Sequence, residues 1–522
     1  MIYKKSRYSA LLLIIMLIVT NTIVANKKDN SPVIARVGED SITVNQFIGL
    51  FELNPRINNS NSTSLTASRI DFLHTLIGNK LWYQYRHKNG MDTTFAERTA
   101  QGELKTMFTL DRLYRSKILD MAEPTDAQVN SAITKAFQTL VVKSIYSESE
   151  SEINNLYLLL EHGFEFNEIL STIDENKSEQ FSHEINFGDY DKTVEDELYN
   201  LEVGKYSNPI KLEDGYYIFN LANVITKHFA DEQSYSQEVL RVKDILRKRE
   251  EDRLYDNFMR SVLNGNKITF DKTLRDNLIT QIDLLKQRRS LNNNANESIF
   301  VLLPSDIIEI EEALGSNLIQ NTLINIDTIN ISLQKYFRSL IFNHPKVKFD
   351  AGSCRDFIER NILDYARTQM LYIEAMKLKI DKEKAVEDDL KNWVEYFSFE
   401  AVRGALADTI SITDDMILEV SRKYFQGSPD SLSENKLNQV ELIKNKLIDQ
   451  KVSSLLKQAT ADLSENISIK INYVLLQGLE ATNINSFALR KLGFGGSILA
   501  APIYFPNSDW VNPNNYKQYI LP

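Results

Sequence analysis

The chain has 522 residues, 43% of them apolar and 25% charged, with a formal net charge of −11. This is the composition of a globular protein with room for two to four domains, and its acidic balance excludes the basic surface that nucleic acid requires. A single cysteine, Cys354, excludes an internal disulfide. The six histidines show no metal-type spacing, and no HExxH, GxSxG, Walker or GxGxxG pattern occurs, so neither a metal nor another cofactor is expected.

Residues 1–25 read as a secretory signal. Lys4, Lys5 and Arg7 precede the apolar run ALLLIIMLIV (10–19), and small and polar residues lead to Ala25. The expected location is the periplasm, with membrane contact only if this segment stays uncleaved as an anchor. Its removal takes away three positive charges and moves the net charge from −11 to −14.

Beyond the signal, the chain repeats itself. VIARVGEDSITVNQF (33–47) matches TLINIDTINISLQKY (322–336) at an offset of 289, pairing Val37 with Ile326, Ile42 with Ile331 and Phe47 with Tyr336. Each copy alternates apolar and polar residues, turns at Gly38-Glu39 or Asp327-Thr328, and then opens a helix. Further along, TDAQVNSAITKAF (125–137) matches TDDMILEVSRKYF (413–425), with Thr-Asp as a helix N-cap in both. The helices at 242–262 and 440–460 then match at an offset of 198. The difference, 289 minus 198, places roughly 90 additional residues in copy one after Phe137. A module tolerates such an insertion only where its two ends lie close together.

The expected organisation is therefore a mainly helical, duplicated module carrying one inserted α+β domain. Residues 26–138 and 229–272 form module 1, 139–228 the insert, 273–322 a linker, 323–476 module 2 and 477–522 a tail. Glycines and prolines deny the tail a long helix, while its aromatics argue against disorder. It either adds strands to the second module or lies along a groove as a client mimic.

The insert opens with the strand TLVVKSIY (139–146), continues through two helices, and closes with KYSNPIKLEDGYYIFNL (205–221). Through HGFEF and through Leu201, Gly204, Ser207, Pro209 and Gly215, it resembles the parvulin family of peptidyl-prolyl isomerases. The flanking strand VIARVGEDSIT and helices make the whole similar to the SurA, PrsA and PpiD chaperones. The doubling of the helical module departs from the SurA pattern, in which the parvulin domain is what repeats.

That resemblance implies a site. The two family histidines fall on Ser144 and Tyr217, the acidic residue falls near Asp174 or Glu175, and the proline pocket falls on Ile185, Tyr190, Val194 and Tyr199. An isomerase of this type lowers a rotational barrier of about 20 kcal/mol by desolvating the amide and bonding it only when twisted. With both imidazoles replaced, two readings stand. Either Ser144, Tyr217 and the carboxylate rebuild a weaker network, or Tyr217 fills space and the groove binds extended peptide. The implied function is a periplasmic holdase for unfolded secreted or outer-membrane polypeptides, with isomerase activity weak or lost. An active isomerase of exported proteins and a structural adaptor of an envelope complex are the alternatives. Its partners are extended polypeptide clients and not nucleic acid; oligomeric state is not readable.

Overall fold

Alternating apolar residues in Val33–Val37 and Asp40–Thr43 make an antiparallel hairpin, with Val37 opposite Asp40 across the turn Gly38–Glu39. A computed structural model describes this hairpin and residues 31–55, 65–91, 93–173, 182–229, 231–292, 299–327, 329–343, 346–348, 353–424, 434–480 and 486–511. Two-residue hairpin turns demand positive φ. Gly38 supplies it at +58°, and its repeat mate Asp327 sits at +50°. Aspartate is one of the few residues besides glycine that visit that region, and here Asp327 Oδ1 accepts the amide of Lys267, a residue distant in sequence, at 2.9 Å.

A hairpin alone leaves one edge unpaired, and each copy closes that edge with a strand from the other copy. Ile469–Ile471, at the end of copy two, pairs with Val33–Val37, placing Ile469 opposite Val37 and Ile471 opposite Ala35. Ile268–Phe270, at the end of copy one, pairs with Thr322–Ile326, placing Ile268 opposite Ile326 and Phe270 opposite Ile324. Val37 and Ile326 are repeat mates, as are Ala35 and Ile324, so the two registers are equivalent. The duplicated modules are completed reciprocally.

The chain divides into two compact units, one made of Met1–Leu113 with Gly265–Pro522 and the other of Tyr114–Asn264. In the first, the helix Leu65–Lys88 of copy one packs on the helices Lys384–Asp408 and Glu434–Asn466 of copy two. Trp82, Phe399, Val452 and Leu456 share one apolar cluster, and the Trp82 indole N–H donates to Thr460 Oγ1 at 2.9 Å. Beside it, Lys80 Nζ donates to both oxygens of Glu395 at 2.7 and 2.8 Å, with both residues buried.

One expectation is corrected here, and one open alternative is resolved. The stretch 273–322 is not a simple linker. Leu274, Leu278, Ile282 and Leu285 repeat at helical spacing, and they are buried by the helix Lys272–Asn292 against Pro304–Leu314 and Ser353–Lys377. Only the Asn-rich residues 293–298 lie outside the described residues. Of the two dispositions open to the tail, its described residues follow the second, along a groove, and none of them adds a strand to the second module's hairpin. The tail forms its own hairpin, Leu489–Lys491 with Ser497–Leu499, and then runs without regular structure through 500–511 against the first copy's helix. Ala501, Tyr504, Trp510 and Val511 are buried there with Leu73, Leu76 and Ile77.

In the second unit, Thr125 and Gln128 form the reciprocal capping box of the helix Asp126–Ala136. Its Val129, Ala132 and Ile133 pack on Val242 of the long helix Glu232–Leu263. Between these helices in sequence lies a four-stranded antiparallel sheet, ordered His183–Ile185, Gln138–Ser147, Gly215–Thr226, Ile210–Leu212. The chain is thus mainly helical and duplicated, with one inserted α+β domain.

Two measurements probe this arrangement. A chain nicked within 293–298 by an engineered protease site should remain associated on a sizing column, because each half carries the strand that completes the other's sheet. Lys80→Met should cost about 3–5 kcal/mol in denaturant unfolding by stranding Glu395, and the double change Lys80→Met with Glu395→Leu should recover most of it.

Candidate functional site

The sheet has two faces because strand side chains alternate. Ile145 and Ile218 point to one face and pack with Ile153, Leu160, Phe166 and Ile169 of the helices Glu150–Glu161 and Phe166–Ile173. Val142, Phe219 and Leu221 point to the other and pack with Ile185, Val194 and Leu198. The register sets Ser144 opposite Phe219 and Tyr146 opposite Tyr217, all on this second face. Ile210 flanks Tyr217 on its far side.

The motif around 204–215 builds this face. Ser207 Oγ accepts the Phe219 amide at 3.0 Å while the Ser207 amide donates to the Phe219 carbonyl at 2.7 Å. The Gly204 amide donates to the Leu221 carbonyl at 2.7 Å. Gly215, at φ +154°, closes the turn after Asp214, and a Cβ there would lie 2.6 Å from Tyr146 Cε2 and 2.8 Å from the Ser147 carbonyl. Its missing side chain lets Tyr146 lie over the turn.

The result is an aromatic floor. Tyr217 stacks on Phe219 with centroids 5.5 Å apart and planes 7° from parallel. Tyr146 stands 4.9 Å from Tyr217, and Tyr190 meets Phe219 edge-on at 6.1 Å. The Tyr217 hydroxyl donates to Asp214 Oδ2 at 2.7 Å, and the Tyr146 hydroxyl donates to the Asp214 carbonyl at 2.8 Å. Burial, then the Asp214 carboxylate, push the Tyr217 phenol up to about 12. Both phenol protons are therefore held by the turn, leaving two phenol oxygens as acceptors over a flat π surface.

The structure brings Ser144, Tyr190 and Tyr217 to this face. Ile185 and Val194 are buried in the core beneath it and form no open wall. Tyr199 lies partly buried with its hydroxyl donating to the Gln138 carbonyl at 3.3 Å and its ring under Lys135. Asp174 and Glu175 lie outside the described residues. His183 belongs to the edge strand His183–Ile185, opposite Val142. Its ring stands edge-on to Phe219 at 6.1 Å, and partial burial lowers its pKa, favouring neutral imidazole.

Sequence reasoning missed Tyr146, Asp214 and Phe219. Tyr146 follows Ser144 by two residues and so shares its face, a signal present in the alternation of KSIYS; the hydrogen bonds to Asp214 needed coordinates. Among the described residues there is no cluster of ligating side chains fit for a metal ion.

No family model matches the chain, and no curated protein matches it. Among solved structures it is similar to the peptidylprolyl isomerase PrsA of Bacillus cereus, at 17% identity over 47% of this chain and 96% of that one, with a TM-score of 0.22. It is also similar to the foldase protein PrsA of Streptococcus pneumoniae, at 17% identity over 42% and 86%, with a TM-score of 0.21. A structure from Campylobacter jejuni described with the SurA-like chaperones PEB4 and Cj1289 aligns at 16% identity over 46% and 100%, with a TM-score of 0.19. At these TM-scores the likenesses carry no argument of their own.

Gly215→Ala should destabilise the chain by roughly 1–3 kcal/mol in thermal or denaturant unfolding, since the new Cβ meets backbone at a positive φ. It should also turn Tyr146 out of the floor, read as a change in tyrosine near-ultraviolet circular dichroism.

Proposed function

We propose that this chain is an extracytoplasmic folding chaperone that holds extended, unfolded polypeptides, with the parvulin-like sheet serving as a peptide-binding surface and not as an isomerase. One observation carries the reading: the phenols at 146 and 217 both spend their protons on Asp214. A twisted prolyl amide needs a donor that engages it only in the transition state. Donors already satisfied by the turn do not supply that, whereas an aromatic floor with acceptor oxygens suits the apolar side chains and N–H groups of an extended segment. The edge strand His183–Ile185 offers backbone pairing beside it.

Several further features support the reading. The basic, then apolar, opening of the sequence has the pattern of an export signal; residues 1–30 lie outside the described residues. Among those described, no helix is long and apolar enough to cross a membrane. The clients of such a protein are unfolded secreted or outer-membrane polypeptides. Under this reading Ser144 and Tyr217, with Asp174, are the relics of a catalytic set. Tyr190 lines the client surface, while Ile185, Val194 and Tyr199 support it from below.

A second reading, an active isomerase, is favoured by one observation. His183 brings a neutral imidazole to the edge of the same floor, 6.1 Å from the Phe219 ring.

The two readings part in a pair of assays. The protein should suppress aggregation of an unfolded client, with the affinity weakened about tenfold in the double variant Tyr146→Ala with Tyr217→Ala. It should leave the exchange rate of Xaa-Pro peptides at background. Exchange well above background that disappears in His183→Ala or Tyr217→Phe would overturn the binding-only reading.

A further inference from the structure

The groove that receives the tail in copy one exists a second time in copy two. The helices Leu65–Lys88 and Ser353–Lys377 are repeat mates at the offset of 289, as are Lys384–Asp408 and Phe95–Lys117. In copy one, residues 500–511 lie against the first of these helices as an extended segment held by side chains. Thr75 Oγ1 accepts the Asn507 amide at 3.1 Å, Asn54 Oδ1 accepts the Tyr504 amide at 2.9 Å, and the His74 carbonyl accepts the Trp510 indole N–H at 3.1 Å. The Tyr504 ring stands 5.9 Å from both Phe72 and Tyr396. Gly78 admits the segment closely, for a Cβ there would lie 2.8 Å from Asn507 Nδ2.

In copy two the corresponding place is a cavity of about 230 Å³. Its lining includes Met107, Asn361, Asp364, Arg367, Thr368 and Leu371, the mates of Tyr396, Phe72, Thr75, Gly78, Asn79 and Trp82. Burial differs where the tail lies. His74, Thr75, Gly78 and Asn79 are buried, whereas Leu363, Asp364, Arg367 and Thr368 are exposed or half-exposed. Leu363 is 50% exposed where His74 is 2% exposed. At neighbouring positions that face the core, both copies are buried: Leu73 with Ile362, Leu76 with Tyr365, Ile77 with Ala366. The contrast is confined to the strip that the tail covers in copy one.

We propose that this copy-two groove is a binding site for an extended polypeptide segment, laid as residues 500–511 lie in copy one, with one aromatic side chain anchored in the cavity. The volume decides the class of occupant. Pockets that take drug-sized ligands measure roughly 300–1,000 Å³, so a cavity of about 230 Å³ suits a single large side chain with its backbone running outside. The mate of Tyr504 enters between Met107 and Asn361. The following stretch covers Leu363, with the Asp364 carboxylate accepting the backbone N–H that Thr75 accepts in copy one. Arg367 stands where Gly78 allowed close approach, so the occupant rides higher than the tail does and meets a guanidinium that offers donors to its carbonyls. The tip of the tail hairpin, with Phe494, Gly495 and Gly496, forms one further wall, and Ser339 and Leu340 of the helix Leu333–Asn343 form another. The Arg490 guanidinium pins that hairpin by ion pairs to Asp111 and Asp389.

This site is separate from the aromatic floor of the sheet, and one probe distinguishes them. A synthetic peptide of residues 500–511, AAPIYFPNSDWV, would carry p-benzoylphenylalanine in place of its tyrosine. Added to the full chain, it should bind one-to-one and, on irradiation, label Met107, Asn361 or their neighbours. Met107→Trp and Thr368→Trp, each filling the cavity, should weaken binding about tenfold or more with helical circular dichroism unchanged. Absence of binding overturns the proposal, as does labelling confined to Phe72 and Tyr396 or to Tyr146 and Tyr217. So does unaltered affinity in both folded variants; if neither variant folds, the labelling map on the unaltered chain decides alone. A correctly labelled cavity in a protein that fails to suppress aggregation would leave this site standing and sink the chaperone reading instead.

Discussion

The pairing of each copy's closing strand with the other copy's hairpin is the constraint on which the larger unit depends. A hairpin that buries one face still offers a row of unpaired amides and carbonyls along its outer edge, and such an edge is a liability unless covered. Here Ile469–Ile471 covers one and Ile268–Phe270 the other, in equivalent registers. Once those strands have crossed over, the helices follow. Leu65–Lys88 has to pack on the second copy's helices, and the buried Lys80–Glu395 pair and the Trp82–Thr460 bond are made across the duplication instead of within a copy.

The inserted domain follows a different logic. Its sheet is set by strand alternation and by the Gly204–Ser207 segment that hydrogen-bonds along Gly215–Thr226. On that scaffold a turn carboxylate and its own carbonyl gather two tyrosine hydroxyls into a closed local network. The sheet does not depend on which residues stand at 144 and 217, because its stability lies in Ile145, Ile218, Val142 and Phe219 beneath and around them.

Much of this could be read from the residues. The duplication, the helical character and the inserted α+β domain follow from two constant offsets and from a turn-rich signature, because apolar periodicity and glycine placement are local properties. The helix over Lys272–Asn292 was hidden by its Asn-rich end, although Leu274, Leu278, Ile282 and Leu285 carry the helical spacing. The strand crossover was not readable at all: IKI and ITF are near-equivalent three-residue strands, and nothing in either says which hairpin it joins. The aromatic floor was half visible. Tyr217 and Tyr190 came from family positions, while the bond from Tyr217 to Asp214 depends on a turn geometry that spacing does not encode. The tail's groove stayed ambiguous because an extended segment without ladder partners leaves no period in the sequence.

The crossover also imposes an order on biogenesis. Ala35 meets its partner Ile471 only after more than four hundred intervening residues have emerged, so the first hairpin of a nascent chain must wait with a bare edge while everything else is delivered. Contacts of such long range form late and slowly, and the waiting species is open to off-pathway pairing. A protein with this topology would itself be a demanding substrate for whatever guards newly made chains.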